Sequence, residues 1–294
     1  MSETAEKNAI QNNAIQNNAI QYNTIDYRLE DGLAEITLNR PEKMNAMTSE
    51  MRLELASALN RAHGGVLCSD KVLGPRDAPR AITGEARAIL ITGAGEGFCA
   101  GQDLGDVTKS ELEMTLREEY APMLRAVALS PIPTVCAVNG VAAGAGAHVA
   151  MSADIVVAGR SARFVEPFAR IALMPAGAGS YWLPRLVGHA RARGMTMLSE
   201  PVSAETAERW GLIWSVVDDD ALATEARRIA RKLATGPTTA FCLAKQALTA
   251  SMGNDFETQI DLEARLQGEA GRTRDYLEGV AAFLEKRKPR FEGR

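Results

Sequence analysis

The sequence has little of what marks a metal-binding, exported or membrane-spanning protein. Its 294 residues include four cysteines, Cys68, Cys99, Cys136 and Cys242, and no two of them form a Cys-x-x-Cys pair. This spacing fits neither a zinc cluster nor a disulfide framework, so free thiols are expected. No apolar run is long enough to span a bilayer, and no basic segment followed by an apolar one opens the chain. A soluble cytoplasmic protein without membrane partners is predicted.

An excess of basic charge is also absent. The chain carries 33 basic and 37 acidic residues, for a formal net charge of −4, and its pI is near 5.6. Nucleic-acid binders concentrate lysine and arginine on one surface, so nucleic acid is not expected as a partner. With 46% apolar residues, the chain can bury one large core or two modest ones.

Several motifs of cofactor-dependent and hydrolytic enzymes are missing. Three glycine-rich turns, which begin at Gly93, Gly144 and Gly177, each fail the dinucleotide pattern G-x-G-x-x-G at its last position. The chain has no phosphate loop ending in Gly-Lys-Ser/Thr, no Gly-x-Ser-x-Gly elbow and no His-Glu-x-x-His. Neither a metal ion nor a resident cofactor is therefore expected. The turns themselves remain interesting, because exposed N–H groups at a helix start can bind developing negative charge.

The N-terminus carries a short repeat, Asn-Ala-Ile-Gln-Asn, which occurs at residues 8–12 and 13–17 and begins again at residue 18. One isoleucine in five residues provides too little apolar surface to offset the entropy of ordering. Residues 1–24 are therefore predicted to form a disordered tail, with a partner-binding peptide as the alternative.

Alternating strand and helix patterns predict an α/β core over residues 25–220. The core opens with a hairpin whose turn is Asp31-Gly32. Buried strands are predicted over three short runs and helices over three longer ones. The predicted strands are residues 88–92, 134–138 and 155–158, and the predicted helices are residues 48–62, capped by Thr48 or Ser49, 111–129 and 145–153.

The remaining segments are a loop and a helical end. Residues 63–85 contain glycine, proline and charge without periodicity, which predicts a surface insertion or a lid. From residue 221 onward the patterns are nearly all helical, so residues 221–294 are predicted to form a C-terminal helical domain. The predicted helices there are residues 221–234, 238–251, 256–268 and 274–287.

Two stretches carry a resemblance to a known family. Residues 98–104 read Phe-Cys-Ala-Gly-Gln-Asp-Leu, and residues 137–146 read Ala-Val-Asn-Gly-Val-Ala-Ala-Gly-Ala-Gly. Together they resemble the paired signature of the crotonase, or enoyl-CoA hydratase/isomerase, superfamily. Further similar segments are residues 38–41, 154–156, 211–213 and 283–289. Residues 209–214 and 258–263 are most similar to the branch of ring-1,2-epoxyphenylacetyl-CoA isomerases and enoyl-CoA isomerases.

The resemblance covers roughly residues 25–294 and implies both a fold and an activity. The fold would be a crotonase-like α/β fold of repeated β-β-α turns with a C-terminal helical trimerisation region, assembled as a homotrimer or hexamer. The activity would be that of an acyl-CoA-processing enzyme of fatty acid metabolism or aromatic degradation. Such an enzyme stabilises a thioester enolate and then shifts a double bond or adds or removes water, with coenzyme A as part of the substrate.

Carried over by position, the resemblance implies that the backbone N–H groups of Ala100 and Ala145 form the oxyanion hole. Removal of a proton beside a thioester places negative charge on its oxygen, and each preorganised donor in a dry site stabilises this charge by about 3–4 kcal/mol. Small residues at both turns let a substrate approach the backbone closely. Tight strand-to-helix packing is the alternative explanation for either turn.

The acid and base groups of the family are missing. The positions of the two hydratase glutamates are occupied here by His148 and Phe168. The epoxide-isomerase branch has an aspartate directly after the proline that precedes a glycine-rich turn, and here the residue after Pro175 is Ala176. A different side chain must therefore move the proton.

His148 is the first candidate for this role, and Glu166 is the second. His148 lies one helical turn beyond Ala145, and imidazole exchanges protons readily near neutral pH; the alternative is a histidine that only fills the core. Glu166 qualifies if its carboxylate turns inward. The alternative for Glu166 is a surface pair with Arg163 or Arg170.

Further candidates concern substrate contacts. Asp103 is expected to cap the turn near Leu104 and to line the pocket, and Tyr181 and Trp182 either border the acyl cavity or belong to the core. Lys286, with Lys288 as a weaker candidate, resembles the lysine that meets CoA phosphate in relatives; a solvated basic helix end is the alternative. The full set of predicted substrate or CoA contacts is Met44, Ala46, Gln102, Asp103, Leu104, Gly144, Phe168 and Lys286.

Two other functions remain open. His148 could activate water, which would make the protein an acyl-CoA thioesterase or a carbon–carbon hydrolase. Alternatively, the loss of a carboxylate at Ala176 could mark a non-catalytic relative that binds CoA esters or joins a hetero-oligomer.

Overall fold

A computed structural model describes residues 21–65, 67, 84–106 and 112–294. The predicted hairpin is confirmed as strands β1 (Ile25–Glu30) and β2 (Leu33–Leu38). Asp31 and Gly32 both have positive φ, as the tight turn between two such strands requires. Asn23 and Thr24 donate to the carboxylate of Glu54, so the chain is already anchored within the last residues of the predicted tail. Residues 1–20 of that tail, and most of the predicted loop at 63–85, lie outside the described residues.

The other elements follow in chain order. The remaining strands are β3 (Ala88–Gly93), β4 (Thr134–Val138), β5 (Val141–Ala143), β6 (Ile155–Gly159), β7 (Arg163–Val165), β8 (Val202–Ser203) and β9 (Ser215–Val217). The α-helices are α1 (Ser49–His63), α2 (Leu112–Thr115), α3 (Ala121–Ala128), α4 (Ala145–Ser152), α5 (Gly179–Leu198), α6 (Ala204–Trp210), α7 (Leu222–Ala234), α8 (Thr238–Ala250), α9 (Phe256–Ala270) and α10 (Arg274–Leu284). A π-helical segment, Leu116–Tyr120, joins α2 to α3, and short 3-10 turns span Pro41–Lys43, Leu104–Asp106 and Pro167–Ile171.

The strands form two sheets. The larger has six strands in the order β1-β2-β3-β4-β6-β9, and the smaller has three in the order β5-β7-β8. Only the β1–β2 and β7–β8 pairs are antiparallel. β4 and β5 are separated by Asn139-Gly140 alone yet belong to different sheets. β6 and β7, which are also close in sequence, likewise belong to the larger and the smaller sheet. Each such strand pair turns the chain from one sheet to the other, and after the first pair α4 follows at once.

Both faces of the larger sheet are buried, which explains why its strands read as continuous apolar runs. Ile89 and Ile91 of β3 contribute to the main core, whereas Leu90 faces a second core. In that second core the sheet meets α7 through residues such as Ala226 and Ile229. The first helix of the predicted C-terminal domain therefore packs as a layer of the α/β core, and the predicted boundary at residue 220 does not separate two cores there.

Most predicted elements are confirmed within a few residues, and the cap at Thr48 accepts from the N–H of Met51. α5 was missed because Pro184 and Gly188 interrupt its pattern; Gly188 has a φ of 77° and breaks the helix into two parts. Cys99 and Cys136 are free and buried, but Cys242 is disulfide-bonded, so the expectation of free thiols is wrong at that position. Across the described part of the chain, no helix combines the length and apolarity needed to cross a membrane.

Candidate active site

The first turn of the site, residues 98–103, is fixed by backbone hydrogen bonds on both of its sides. The N–H groups of Phe98 and Cys99 donate to the carbonyl of Val141, and Cys99 returns a bond by accepting from Ala143. On the other side, the N–H of Met47 donates to Gly101 at 2.7 Å, and the N–H of Asp103 donates to Met47 at 3.0 Å. The turn is thereby held between β5 and the segment that precedes α1.

This arrangement corrects the prediction for Ala100. The N–H of Ala100 donates to the carbonyl of Met44 at 2.9 Å, so it is not free to bind a substrate oxygen. Gln102 forms a parallel bridge with Met47 through its two neighbours, which leaves its own N–H pointing away from Met47. No hydrogen bond from that N–H to another described residue is recorded, and Gln102 lines the cavity. The first turn therefore offers the N–H of Gln102 instead of that of Ala100.

The second donor is Ala145, the first residue of α4. Its N–H has no acceptor within the helix, because the first groups of every helix lack one. Gly144 precedes it with φ 50° and ψ −121°, a conformation open mainly to glycine, and its own N–H donates to Val165 at 2.9 Å. The N–H of Ala145 is therefore presented at a fixed helix start, where the helix dipole favours negative charge.

The two turns lie against one another. A β-carbon built on Gly101 would lie 2.7 Å from the carbonyl oxygen of Ala143 and 3.6 Å from the nitrogen of Ala145. A β-carbon built on Gly146 would lie 2.4 Å from the carbonyl oxygen of Cys99. Glycine at 101 and 146 is thus what lets the two turns pack this closely against one another.

A cavity of about 650 Å³ opens beside these turns. Its wall is predominantly apolar, with Gln102, Thr115, Tyr120 and Arg170 as the polar side chains among the lining residues. The complete lining is Ala100, Gly101, Gln102, Leu104, Leu112, Thr115, Leu116, Tyr120, Gly144, Ala145, Pro167, Phe168, Arg170, Ile171, Leu173, Met174, Ala176 and Gly177. The predicted contacts Gln102, Leu104, Gly144 and Phe168 are therefore at the cavity, and so is Ala176, where the branch carboxylate is missing.

His148 and Glu166 form a buried pair at the base of the site. Nε2 of His148 lies 3.0 Å from Oε2 of Glu166, and neither side chain has exposed surface. This excludes the surface pairing proposed for Glu166, since Arg163 and Arg170 donate instead to backbone carbonyls. Nδ1 of His148 and Oε1 of Glu166 have no hydrogen-bond partner in the structure. Most buried polar atoms in proteins have a hydrogen-bond partner, so the two unpaired atoms of this pair require an explanation.

The imidazole of His148 is enclosed by Phe168 and a glycine-rich turn. The Phe168 ring stacks on it, with centroids 5.4 Å apart and planes 9° from parallel, and Phe168 also lines the cavity. A β-carbon on Gly179 would lie 2.2 Å from Nε2, and one on Gly177 would lie 3.7 Å from Nδ1. His148 is therefore separated from the cavity by one aromatic ring and by the bare backbone at Gly177.

Four other predicted contacts do not line the cavity. The carbonyl of Met44 accepts from Ala100, and the carbonyl of Ala46 accepts from Arg40. Lys286 lies just beyond α10 and is exposed. Met44 and Ala46 therefore contribute to the site only through their backbone carbonyls, and Lys286 does not contact the described site.

Asp103 is confirmed as a cap and is not a cavity residue. Its Oδ1 accepts from the N–H of Gly105 at 3.0 Å, and its Oδ2 pairs with Arg40 at 3.1 Å. The Gly105 bond, followed by the contact with Arg40, lowers the pKa of Asp103. A carboxyl group held ionised in this way stabilises the turn and is a poor proton donor.

Tyr181 and Trp182 border a second apolar cavity of about 510 Å³, which shares Leu116 and Gly177 with the first. Trp182 also packs against the main core, and its indole N–H donates to Ser152. Neither residue lines the main cavity; Trp182 packs against the core, whereas Tyr181 is exposed.

Asn45 is a site residue that sequence reasoning missed. Its side-chain amide donates to the carbonyls of Ala94, Gly97 and Phe98, and its Oδ1 accepts from Arg40. Asn45 is fully buried and has a φ of 56°, which asparagine tolerates better than most residues. Its position directly before Ala46 in a turn after Pro41 is the only signal that could have drawn attention to it.

Comparison with known proteins identifies this arrangement. Residues 80–294 match the family model described as enoyl-CoA hydratase/isomerase. The chain belongs to the enoyl-CoA hydratase/isomerase family. It is 49% identical over 268 residues to a Rhodobacter capsulatus protein named "Probable enoyl-CoA hydratase", a match that covers 90% of this chain and 96% of the relative. It is 45% identical over 272 residues to the 1,2-epoxyphenylacetyl-CoA isomerase of Escherichia coli, which covers 90% and 97%.

Solved structures agree with the sequence relatives. The crystal structure of enoyl-CoA hydratase from Bacillus anthracis matches with a TM-score of 0.78 at 29% identity, over 92% of this chain and all of that one. The fold is thus the crotonase fold, near the branch suggested by the sequence. As a member of the enoyl-CoA hydratase/isomerase family, the protein is an enzyme that processes acyl-CoA esters in the manner of a hydratase or isomerase.

Proposed function

We propose that the protein shifts a double bond in an enoyl-CoA or ring-derived acyl-CoA ester by moving one proton between two carbons. The observation that carries the proposal is the meeting of two backbone donors at an apolar cavity, the N–H of Gln102 and the N–H of Ala145. Both would point at the thioester oxygen when a proton leaves the neighbouring carbon. No metal or cofactor beyond the CoA of the substrate takes part in this step.

The energetic role of the donors follows from where charge develops. The thioester oxygen is nearly neutral in the substrate and becomes an anion in the enolate, so fixed donors favour the enolate more than the substrate. Each donor in a site closed to water contributes about 3–4 kcal/mol to this preference. The apolar lining of the cavity supports this, because a low dielectric strengthens both hydrogen bonds.

Isomerisation is favoured over hydration by the groups available to move protons. Water addition in this family's hydratase pattern needs two glutamates, and their positions hold His148 and Phe168. A single carrier can take a proton from one carbon and return it to another. His148 is the proposed carrier, and the residue beside its Nδ1 is Gly177, which lines the cavity and has no side chain.

The acyl group is proposed to be apolar and of moderate size. The main cavity of about 650 Å³ is lined mostly by apolar residues and shares Leu116 and Gly177 with a second apolar cavity, which favours a ring or a short alkyl chain as the buried group. The Escherichia coli relative is named for a ring-epoxide phenylacetyl-CoA substrate, which supports a ring-derived ester and a place in aromatic degradation. The CoA portion then leaves the cavity near the exposed side chain of Leu104.

The enzyme is further proposed to assemble as a trimer or hexamer through its C-terminal helices. Large apolar side chains on α9 and α10 are exposed in the single chain, among them Phe256, Leu277 and Phe283, the last with 82% of its surface accessible. Apolar groups clustered at this end are typical of an interface between subunits.

The proposal is tested by incubating the protein in D₂O with a panel of enoyl-CoA and phenylacetyl-CoA esters. We expect deuterium to enter the α and γ carbons, and we expect His148→Ala to reduce this exchange by about 10²–10⁴-fold, the usual contribution of a positioned acid or base. Glu54→Asp, far from the cavity, is the control. Thioester cleavage without exchange would contradict the proposal and indicate a hydrolase, and binding without either reaction would indicate a non-catalytic relative.

A further inference from the structure

The buried contact between His148 and Glu166 supports an inference that neither residue supports alone. We infer that Glu166 is a positioning residue that fixes the tautomer of His148, so that Nδ1, and not Nε2, is the atom that accepts and returns the substrate proton. This inference rests on the proposed function. In this inference Glu166 orients His148 and does not itself act as the base. The atom that exchanges the proton is Nδ1 of His148.

The first step of the argument is the contact itself. Nε2 of His148 lies 3.0 Å from Oε2 of Glu166, and both side chains are fully buried. A carboxylate oxygen accepts hydrogen bonds, so a neutral ring that makes this contact carries its hydrogen on Nε2. The second ring nitrogen then carries a lone pair. Nδ1 is indeed without a partner in the structure, which is the state required of a base.

The second step concerns direction. Nε2 faces Gly179, where a β-carbon would lie 2.2 Å away, and no substrate atom could enter on that side. Nδ1 faces Gly177, where a β-carbon would lie 3.7 Å away. Gly177 lines the cavity and contributes no side chain. Nδ1 therefore lies on the side of the ring next to a residue of the cavity wall.

The third step is the balance of the reaction. The carbon–hydrogen bond beside the thioester breaks, its electron pair moves onto the thioester oxygen as the enolate, and the proton forms a bond to Nδ1. The resulting imidazolium is stabilised by the carboxylate of Glu166 at 3.0 Å, because opposite charges attract strongly in a buried site. Return of the proton from Nδ1 to the γ carbon restores the neutral ring and completes the shift. No oxidant or co-reactant is required.

The carbonyl of His148 is also held in place, since it accepts from the hydroxyl of Ser152 at 2.8 Å. The ring is stacked under Phe168 on one face. With the backbone, one ring face and Nε2 all engaged, Glu166 is the contact that decides which nitrogen is protonated. The same division of labour, in which a carboxylate orients an imidazole without taking its proton, operates in Ser-His-Asp triads.

A direct test measures the tautomer by ¹⁵N NMR of the histidine rings. The chain has only three histidines, and the signals of His148 are assigned by their absence from His148→Ala. We expect the Nε2–H tautomer in the parent protein. In Glu166→Gln the amide can either donate or accept, so the preference is expected to weaken. An Nδ1–H tautomer in the parent would overturn the inference without any measurement of activity.

The catalytic half of the inference is tested with Glu166→Gln on the same acyl-CoA panel. We expect the rate of α-carbon exchange to fall by up to about 10⁴-fold, the effect of neutralising the triad carboxylate of a serine protease, with acyl-CoA affinity unchanged. Glu54→Gln makes the same chemical change at a carboxylate that only anchors Asn23 and Thr24, and it should leave the rate unchanged. An unaltered rate in Glu166→Gln would contradict the positioning role of Glu166 but would leave the proposed function standing.

Rescue by imidazole separates positioning from a purely structural role. Removal of the His148 ring leaves a space beside Glu166 that free imidazole fits, so we expect added imidazole to restore part of the exchange in His148→Ala. The double variant His148→Ala/Glu166→Gln should show no rescue, because nothing orients the added ring. Equal rescue in both variants would overturn the inference. A parent protein without any exchange would contradict the proposed function and, with it, any catalytic use of the pair.

Discussion

At the scale of single residues, the site depends on what is absent from a few positions. Gly179 begins α5 directly against His148, and its missing side chain provides the space for the imidazole. The missing carboxylate at Ala176 leaves the cavity wall apolar beside Gly177. The proposed proton transfer is therefore assigned to a buried pair, His148 and Glu166, and not to a side chain of the cavity wall.

Substitution Gly179→Ala tests this packing. The added carbon would lie 2.2 Å from Nε2, so we expect the His148–Glu166 contact to break and the free energy of unfolding to fall by about 1–3 kcal/mol, the usual effect of overpacking a core. Gly194→Ala is a matched control in the same helix, since nothing lies within 4 Å of its added carbon. The control should instead gain about 0.5–1 kcal/mol from helix propensity. Urea unfolding of both variants measures the difference, and equal effects would contradict the account.

His63 gives a prediction about pH. Burial, with a further contribution from the charge of Lys245, lowers the pKa of His63 to about 4, whereas an unfolded histidine titrates near 6.5. Between these values the unfolded chain binds more protons than the folded one, so stability falls as the pH is lowered through this window. The loss amounts to about 3 kcal/mol once both values have been passed. This stability is fully present above about pH 6.5.

Replacement by leucine removes the titrating group and keeps the site filled. Urea unfolding of His63→Leu at about pH 7.5 and about pH 5 should therefore show a smaller difference between the two conditions than the parent shows. An identical pH dependence in parent and variant would mean that His63 does not titrate as its burial requires.

The sequence predicted some residue roles and could not predict others. The position of His148 followed from its spacing from Ala145, because both lie on one short helix. Glu166 was also a candidate in the sequence, but its pairing with His148 could not be predicted, since the two residues meet only when β7 brings the turn after Val165 against α4. The error at Ala100 has the same origin. Which N–H of the turn is free depends on its register with residues 44–47, and no local pattern encodes that register.

At the scale of elements, the site lies where loops are hydrogen-bonded to the ends of strands. Strand β5 fixes one side of the turn at residues 98–103, and the segment before α1 fixes the other. Asn45 belongs to that segment. Its side-chain amide donates to the carbonyls of Ala94, Gly97 and Phe98, in the glycine-rich loop that leads into the turn at residues 98–103. The placement of Gln102, the first proposed oxyanion donor, therefore depends on a side chain outside the cavity.

Substitution Asn45→Ala should loosen this fastening. The carbonyls of Ala94 and Phe98 would lose this donor, and that of Gly97 would keep only the contact from Asn139 at 3.3 Å. Because unpaired buried groups cost about 1–3 kcal/mol each before relaxation, we expect a loss of about 2–4 kcal/mol in unfolding free energy together with a lower exchange rate. Asn39→Ala, which removes a single exposed contact with Asp26, is the control and should have little effect. A stable Asn45→Ala protein with parental activity would show that the loop holds its shape without this amide.

Regular elements were predictable where one pattern dominates. The apolar runs of β3 and β4 and the amphipathic pattern of α1 appeared at nearly their observed bounds. The long α5 was not predicted, because its proline and its kinked glycine are tolerated only through contacts with the rest of the chain. The smaller sheet was missed as well, since strands of two or three residues carry too little pattern to recognise.

At the scale of the whole molecule, exposed apolar helices at the C-terminal end predict self-association. We expect light scattering to give a mass of about 95 or 190 kDa, three or six times the 31.5 kDa of the chain. The double substitution Leu277→Glu/Phe283→Glu should shift the mass toward the monomer, because it places charge on two exposed apolar positions of α10. Leu53→Glu makes a similar change on α1 and should not. A monomeric parent protein would contradict this prediction.

The central claim is that backbone N–H groups stabilise the enolate, and one substitution removes such a group without removing a helix. Ala145 is the first residue of α4, a position where proline is tolerated but supplies no N–H. The measurement is α-carbon deuterium exchange of acyl-CoA by Ala145→Pro and Ala145→Gly. We expect the glycine variant, which keeps the N–H, to retain most of the parental rate, and the proline variant to lose about 10²–10³-fold while circular dichroism shows a folded chain. Equal rates in the two variants would contradict the claim.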